Sequence, residues 1–257
     1  IQSRPAAFSS YRNRDYGTIK GVDLSFTMRR TQRVQASANY SLSFANGTGS
    51  SANTQRNIAW GFNPEITEPP RQTFSLDFDQ RHKLSVNLDY RFREKDGPQL
   101  GDGYPLSNAG VNMLVTYGSG LPYTPTEVFN EVTLANVASV PTGPINSVYG
   151  PSTYQVDLKV NKDFKMGPTT LTFYAWGINL LDRKNVWSRD TDDRGVESAV
   201  YSATGSPETT RWLSGSDGQK FVERFDEEGE QMYNLKERDP RNFGPPRQVR
   251  FGVTYSF

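Results

Sequence analysis

Seven stretches of this chain alternate apolar and polar residues with a period of two, which restricts it to half-buried β-strands. The first covers about 18–29 and sets Val22, Leu24, Phe26 and Met28 against Asp23, Ser25 and Thr27. A short Arg-Thr-Gln-Arg turn leads to the second, about 33–45, with Val34, Ala36, Ala38, Tyr40 and Leu42 on one face. The third, about 80–93, opposes Leu84, Val86, Leu88, Tyr90 and Phe92 to Ser85, Asn87, Asp89 and Arg91, and is the cleanest. The fourth, about 109–118, carries Val111, Met113, Val115 and Tyr117, and the fifth, about 152–164, carries Tyr154, Val156, Leu158 and Val160. In the sixth, about 168–181, Thr172, Tyr174 and Trp176 compete with Leu171, Phe173 and Ala175 for the apolar face, and the pattern leaves both assignments open. The last, about 247–257, sets Val249, Phe251, Val253, Tyr255 and Phe257 against Gln248, Arg250, Thr254 and Ser256.

The links sort by length. Short ones fall near 30–33 and 165–168, with a somewhat longer one near 94–107, while long loops fall near 46–79, 119–151 and 182–246. Short turns at one end and long loops at the other are the habit of an outer-membrane β-barrel, whose short turns are periplasmic. Strands of about ten residues can cross the hydrocarbon core when tilted. A soluble sandwich also alternates, but structureless loops beyond about 15 residues are uncommon in compact domains. The expected fold is therefore all-β: an antiparallel transmembrane β-barrel with long extracellular loops. Seven strands cannot close alone, since bacterial barrels have even numbers from about eight upward and an open edge in lipid leaves backbone groups unpaired. Residues 1–257 are expected to be the C-terminal portion of a larger barrel.

Composition agrees by exclusion. Only 35% of the 257 residues are hydrophobic, and no run approaches the roughly 20 apolar residues of a spanning helix. No cysteine means no disulfide framework, thiolate metal site or cysteine nucleophile. A net charge of +1 leaves no electrostatic footprint for nucleic acid.

The last residues, Arg250 to Phe257, resemble the outer-membrane assembly signal, in which Arg250, Gly252, Tyr255 and Phe257 fill the polar, glycine and two aromatic positions. An edge strand with an apolar row can be paired by barrel-assembly machinery through β-augmentation. Further stretches resemble the C-terminal barrel of TonB-dependent receptors, of the class with a carboxypeptidase-regulatory-like N-terminal domain. They are Tyr16-Gly-Thr-Ile-Lys-Gly-Val-Asp-Leu24, Phe78-Asp-Gln-Arg-His-Lys-Leu-Ser-Val86, Gly118-Ser-Gly-Leu-Pro-Tyr-Thr-Pro125, Gly177-Ile-Asn-Leu-Leu-Asp182 and Asp239-Pro-Arg-Asn-Phe-Gly-Pro-Pro-Arg247. The resemblance implies a barrel of about 22 strands closed by a plug, of which this would be the last third. It also implies active uptake of a nutrient driven by the TonB energy complex through a plug that this sequence lacks.

The remaining chemistry is sparse. His82 is the one histidine, and at the start of a strand it fits interfacial anchoring or packing better than a triad with Asp77 or Asp79. Asp190, Asp192, Asp193, Glu197, Asp226, Glu227, Glu228 and Glu230 crowd the last long loop, but their spacing does not match a calcium loop and a solvated loop is expected. Trp187, Trp212, Phe221, Phe225 and Tyr233 lie among them and fit local packing. Asn39, Asn87, Asp89, Arg91, Asp157, Lys159 and Arg250 are expected to line the lumen. Tyr90, Phe92, Tyr255 and Phe257 would form a periplasmic girdle, and Tyr40, Phe44 and Tyr117 an outer one. The expected partners are outer-membrane lipid, the assembly machinery, the energy complex and a possible surface lipoprotein. No cofactor, metal, nucleic acid or enzymatic activity is expected. The rival expectation is a barrel serving mainly as a surface anchor or partner-binding scaffold.

Overall fold

The computed structural model describes residues 15–51, 72–124, 126–127, 140–141, 143–186 and 243–257. Among them every regular element is a strand: β1 (Gly17–Thr31), β2 (Val34–Gly47), β3 (Phe74–Ser75), β4 (His82–Arg91), β5 (Ala109–Gly118), β6 (Pro122–Tyr123), β7 (Thr126–Glu127), β8 (Val140–Pro141), β9 (Val148–Tyr149), β10 (Thr153–Met166), β11 (Thr169–Ile178) and β12 (Gln248–Ser256). The seven long strands coincide with the seven alternating segments. They form one antiparallel sheet in the order β1-β2-β4-β5-β10-β11-β12, to which β3 adds by pairing with β2; β6 pairs with β9, and β7 with β8.

The register converts alternation into two opposite faces, because directly opposed residues of an antiparallel pair point the same way. One row runs Met28, Ala36, Leu88, Met113, Leu158, Gly177 and Val249 across all seven long strands. The next runs Phe26, Ala38, Val86, Val115 and Val156. The register also assigns β11, where the sequence pattern was ambiguous. Leu171, Phe173 and Ala175 oppose Tyr255, Val253 and Phe251 on the apolar face, which leaves Thr172, Tyr174 and Trp176 on the polar one.

The apolar face is bare. Phe26 is 59% exposed on β1 and Phe251 80% on β12, and buried apolar side chains among the described residues are few, chiefly Ala45, Leu76, Pro122 and Tyr123. Soluble antiparallel sheets cover their apolar face and wet the other. Among the described residues nothing covers it, and there β1 and β12 each pair on one side only.

The two ends of the sheet are built differently. At one end the turns are short. Gln32 sits at a φ of 55° between β1 and β2, and Gly167 at 63° ahead of Pro168 between β10 and β11. Glycine at the first central position followed by a negative φ suits a hairpin turn whose twist matches the strands. The 92–108 connection is tied back by Arg33, whose Nη2 and Nε reach Asp96 at 2.5 and 3.0 Å, and by Lys165 to Glu94 at 2.6 Å. Lys162 donates to the carbonyls of Pro105 and Ser107. At the other end the long connections begin, and there the buried side chains collect.

Candidate functional site

Two regions concentrate polar side chains: the middle of the polar face, and the end from which the long loops leave. On the polar face one row runs Gln35, Asp89, Asn112, Lys159, Trp176 and Arg250 across six strands. The next, towards the short turns, runs Arg91, Gly110, Asn161, Tyr174 and Gly252. On the opposite side lie Asn87, Leu114 and Asp157, and beyond them Asn39 and Ser85. The sequence-expected lining residues thus fall in adjoining rows of one face. Leu114 is the apolar exception that the alternation of β5 forces there.

These groups satisfy one another. Asp89 receives Arg30 and, at 3.1 Å, Arg91 Nε. Asn112 Nδ2 donates to Asn87 Oδ1 at 2.7 Å, and Asp157 Oδ1 accepts from Gln155 and from the Asn179 N–H at 2.8 and 2.9 Å. The Lys159 ammonium lies 4.9 Å from the Tyr174 ring centre, and the Arg250 guanidinium 5.8 Å from that of Trp176, as cation–π pairs do. A concavity of about 440 Å³ opens among Asp89, Arg91, Lys159, Asp163 and Tyr174. Its wall mixes acids, bases, amides and hydroxyls, and the Thr172 hydroxyl donates to Asp163 Oδ1 at 2.9 Å. Among the described residues no three His, Cys, Asp or Glu side chains gather into a metal-binding group.

The C-terminal motif divides between the faces. Arg250 and Gly252 lie on the polar face, Tyr255 on the apolar one opposite Leu171, and the Tyr255 and Phe257 rings are 6.1 Å apart. A Cβ on Gly252 would stand 2.3 Å from the Tyr174 hydroxyl oxygen and 2.4 Å from Cζ. Only a glycine leaves room for that ring to lie across β12, the aromatic-over-glycine arrangement that pins strand register. Alternation alone could not disclose it, because it depends on which β11 residue faces Gly252.

At the long-loop end the chain ties three buried polar side chains into the backbone. Asp79, 1% exposed, accepts from the Ala45 N–H at 2.7 Å and from the Tyr149 hydroxyl at 2.6 Å. Burial, then the bond to Asp79, holds the Tyr149 phenol above its ordinary pKa. Asn146 Nδ2 donates to the Ser75 carbonyl and to Asp77 Oδ1 at 2.7 and 2.6 Å. Asn179, 1% exposed, donates to the carbonyls of Arg183 and Pro245 at 3.0 and 3.1 Å and accepts the Arg183 N–H at 3.1 Å. Asn146 and Asn179 stand at φ values of 53° and 50°, a left-handed conformation that asparagine tolerates better than most residues. These clips were not foreseen as functional groups, although Asp79 and Asn179 sit inside two of the stretches that carry the family resemblance. His82 lies on the apolar face opposite Leu42, with Nδ1 2.8 Å from the Tyr40 hydroxyl.

The acidic residues from Asp190 to Glu230 and the aromatics from Trp187 to Tyr233 lie outside the described residues. No protein-family model matches the chain, and no curated protein or solved structure matches it either.

Proposed function

We propose that this chain is the C-terminal portion of an outer-membrane β-barrel and, more finely, of a TonB-dependent receptor that takes up a scarce nutrient. The observation that carries the membrane reading is the bare apolar face, continuous across seven strands. A face of that extent in water marks an interaction surface or an aggregation hazard. In lipid it is simply solvated. From the Val34–Tyr90 row to the Leu42–His82 row is eight residues along β2. At about 3.4 Å per residue and a tilt of about 40°, those rows span roughly 21 Å, close to the apolar band of about 25 Å on barrels of this kind. Tyr90, Phe92, Tyr255 and Phe257 at the short-turn end, and Tyr40, Phe44 and Tyr117 at the other, suit the two aromatic girdles. The half-paired edges of β1 and β12 suit a sheet completed by further strands, because unpaired backbone groups cost several kcal/mol each in lipid.

The receptor reading rests on the resemblance of five stretches and the assembly motif. The polar face then acts as part of the inner wall, where paired charges offer a hydrated, non-covalent surface to a plug or a passing solute. One observation favours the scaffold alternative: the described buried side chains gather where the long loops leave, as befits a platform that presents loops to a partner. Fold does not choose between the two.

The test is to obtain the complete reading frame, express it in a Gram-negative host and fractionate the envelope. The reading expects a signal peptide, a plug with its coupling box and about fifteen further strands ahead of Ile1, with the product in the outer membrane and shifting in gel mobility on boiling. A mature chain beginning near Ile1, or recovery in a soluble fraction, would overturn it.

A further inference from the structure

Of the three links described at the short-turn end, two turn in two residues, Gln32 with Arg33 and Gly167 with Pro168. The third runs from 92 to 108, far longer than a hairpin needs. Its anchors lie on the apolar side of the sheet. Phe92, whose N–H donates to the Ala109 carbonyl, meets Tyr90 edge-on with ring centres 5.2 Å apart, and Tyr90 stands in the apolar row of Val34 and Val111. A Cβ on Gly97 would stand 3.0 Å from the Phe92 ring and 3.4 Å from Leu106, so the connection runs against that ring. Arg33 lies 5.0 Å from the Phe92 ring centre, donates to the Tyr90 hydroxyl at 3.3 Å and holds both oxygens of Asp96. Lys162 opposes Ala109, two residues beyond Val160 in the apolar register. It lies 5.5 Å from the Phe164 ring centre and donates to the carbonyls of Pro105 and Ser107.

The connection is also closed on itself. The amides of Lys95, Asp96, Leu100, Gly103, Ser107 and Asn108 all find acceptors within it, and Gly101, at a φ of 61°, turns the tip between Leu100 and Gly103. A segment that satisfies its own backbone can lie where water is scarce. Yet it leaves Leu100 78% exposed at that tip and Leu106 40% exposed. An exposed leucine is ordinary by itself. What singles these two out is their place, on a segment packed against the margin of a bare apolar face. Apolar side chains there enter the boundary between lipid headgroups and acyl chains. Exposed Asp102, two residues from Leu100, limits the depth, because a carboxylate stays with the headgroups and water.

We infer that the 92–108 connection is a foot that rests on the periplasmic leaflet outside the barrel, with Leu100 and Leu106 set at headgroup depth beside the apolar face. Continuity chooses lipid over a protein partner. Phe92, on which the connection packs, continues the alternation of Leu88 and Tyr90, so whatever solvates that face also reaches the foot. Because Arg33 and Lys162 are answered inside the protein, the contact asks for no anionic headgroup. The inference rests on the membrane reading and adds to it a lipid contact made by a loop instead of a strand.

The test uses the full protein reconstituted in phosphatidylcholine vesicles, with a nitroxide on Leu100→Cys, Pro168→Cys or Phe251→Cys, one at a time. Dissolved oxygen partitions into lipid and a nickel chelate stays in water, so the ratio of their collision rates with the label reports its surroundings. Pro168, exposed at the tip of a two-residue turn at the same end, serves as the water reference, and Phe251 on the apolar face as the lipid reference. Leu100→Cys is expected to give a ratio several-fold above that of Pro168→Cys and below that of Phe251→Cys. A ratio no higher than that of Pro168→Cys, with Phe251→Cys in lipid, overturns the inference and leaves the membrane reading intact. So does a Leu100→Cys label shielded from both reagents, the mark of a protein partner on the foot. A Phe251→Cys label open to the chelate overturns both.

Discussion

The two ends of this sheet carry similar numbers of strands and very different amounts of interior. At the long-loop end Asp79, Asn146 and Asn179 are buried, and each bonds to backbone groups distant in sequence. At the short-turn end the ties are ion pairs, half-buried for Arg33 with Asp96 and exposed for Lys165 with Glu94. Exposed pairs contribute little because water screens them and long side chains lose freedom on pairing. Buried hydrogen bonds to a carboxylate contribute more, and leaving one partner unpaired costs most. The difference follows from connection length. A two-residue hairpin fixes its own register through turn geometry, whereas a long loop must be anchored by side chains wherever it leaves the sheet.

This comparison breaks most visibly at Asp79. Asp79→Ala should cost about 3 kcal/mol, near the lower end for removing one member of a buried pair because Arg81 stays partly in water. Asp79→Asn, which keeps one acceptor for the Ala45 N–H, should cost about 1 kcal/mol. Urea unfolding of the reconstituted protein measures both, and equal losses would show that the charge, not the acceptor geometry, holds this end. In the half nearer the short turns, Gly252→Ala forces a Cβ into the Tyr174 ring and should cost about 2 kcal/mol, as overpacking does. Adding Tyr174→Ala should return part of that loss in a double-mutant cycle, and strict additivity would dismiss the interlock.

The smallest effect belongs to the short-turn ion pairs. Asp96, bonded to Arg33, and Glu94, bonded to Lys165, titrate below their ordinary values. A depressed carboxylate contributes stability that is complete above its unfolded pKa and lost as pH falls through the folded one. Asp96→Asn should therefore differ from wild type slightly near neutrality and converge on it only as pH falls well below the ordinary aspartate value of about 4. A difference that grows on acidification would reverse the assignment.

Most of the sheet was legible in the sequence because period-two alternation is a local signal. β4 could be read from Leu84, Val86, Leu88 and Tyr90 alone, and its observed bounds, His82–Arg91, fall inside the expected segment. β11 could not, because tyrosine and tryptophan are at home on either face of a sheet, and only the pairing with Phe251, Val253 and Tyr255 decides. The clips were illegible for a different reason. Asp79 meets Ala45 and Tyr149 across 34 and 70 residues of sequence, distances at which no periodicity speaks. The polar-face residues Asn87, Asp89 and Lys159 stand where alternation sends them. Their neighbours Asn112 and Asp163 carry the same signal and were passed over.

The central claim is that the apolar face meets lipid and the polar face meets water. These 257 residues contain no cysteine, so single cysteines placed along β4 meet no competing thiol from this part of the protein. In the full protein in outer membranes, cysteines at Val86 and Leu88 should resist a water-soluble maleimide and quench with a lipid-borne label. Those at Asn87 and Asp89 should do the reverse. Uniform reactivity along β4, or protection on the polar side with water at Val86 and Leu88, would contradict the account.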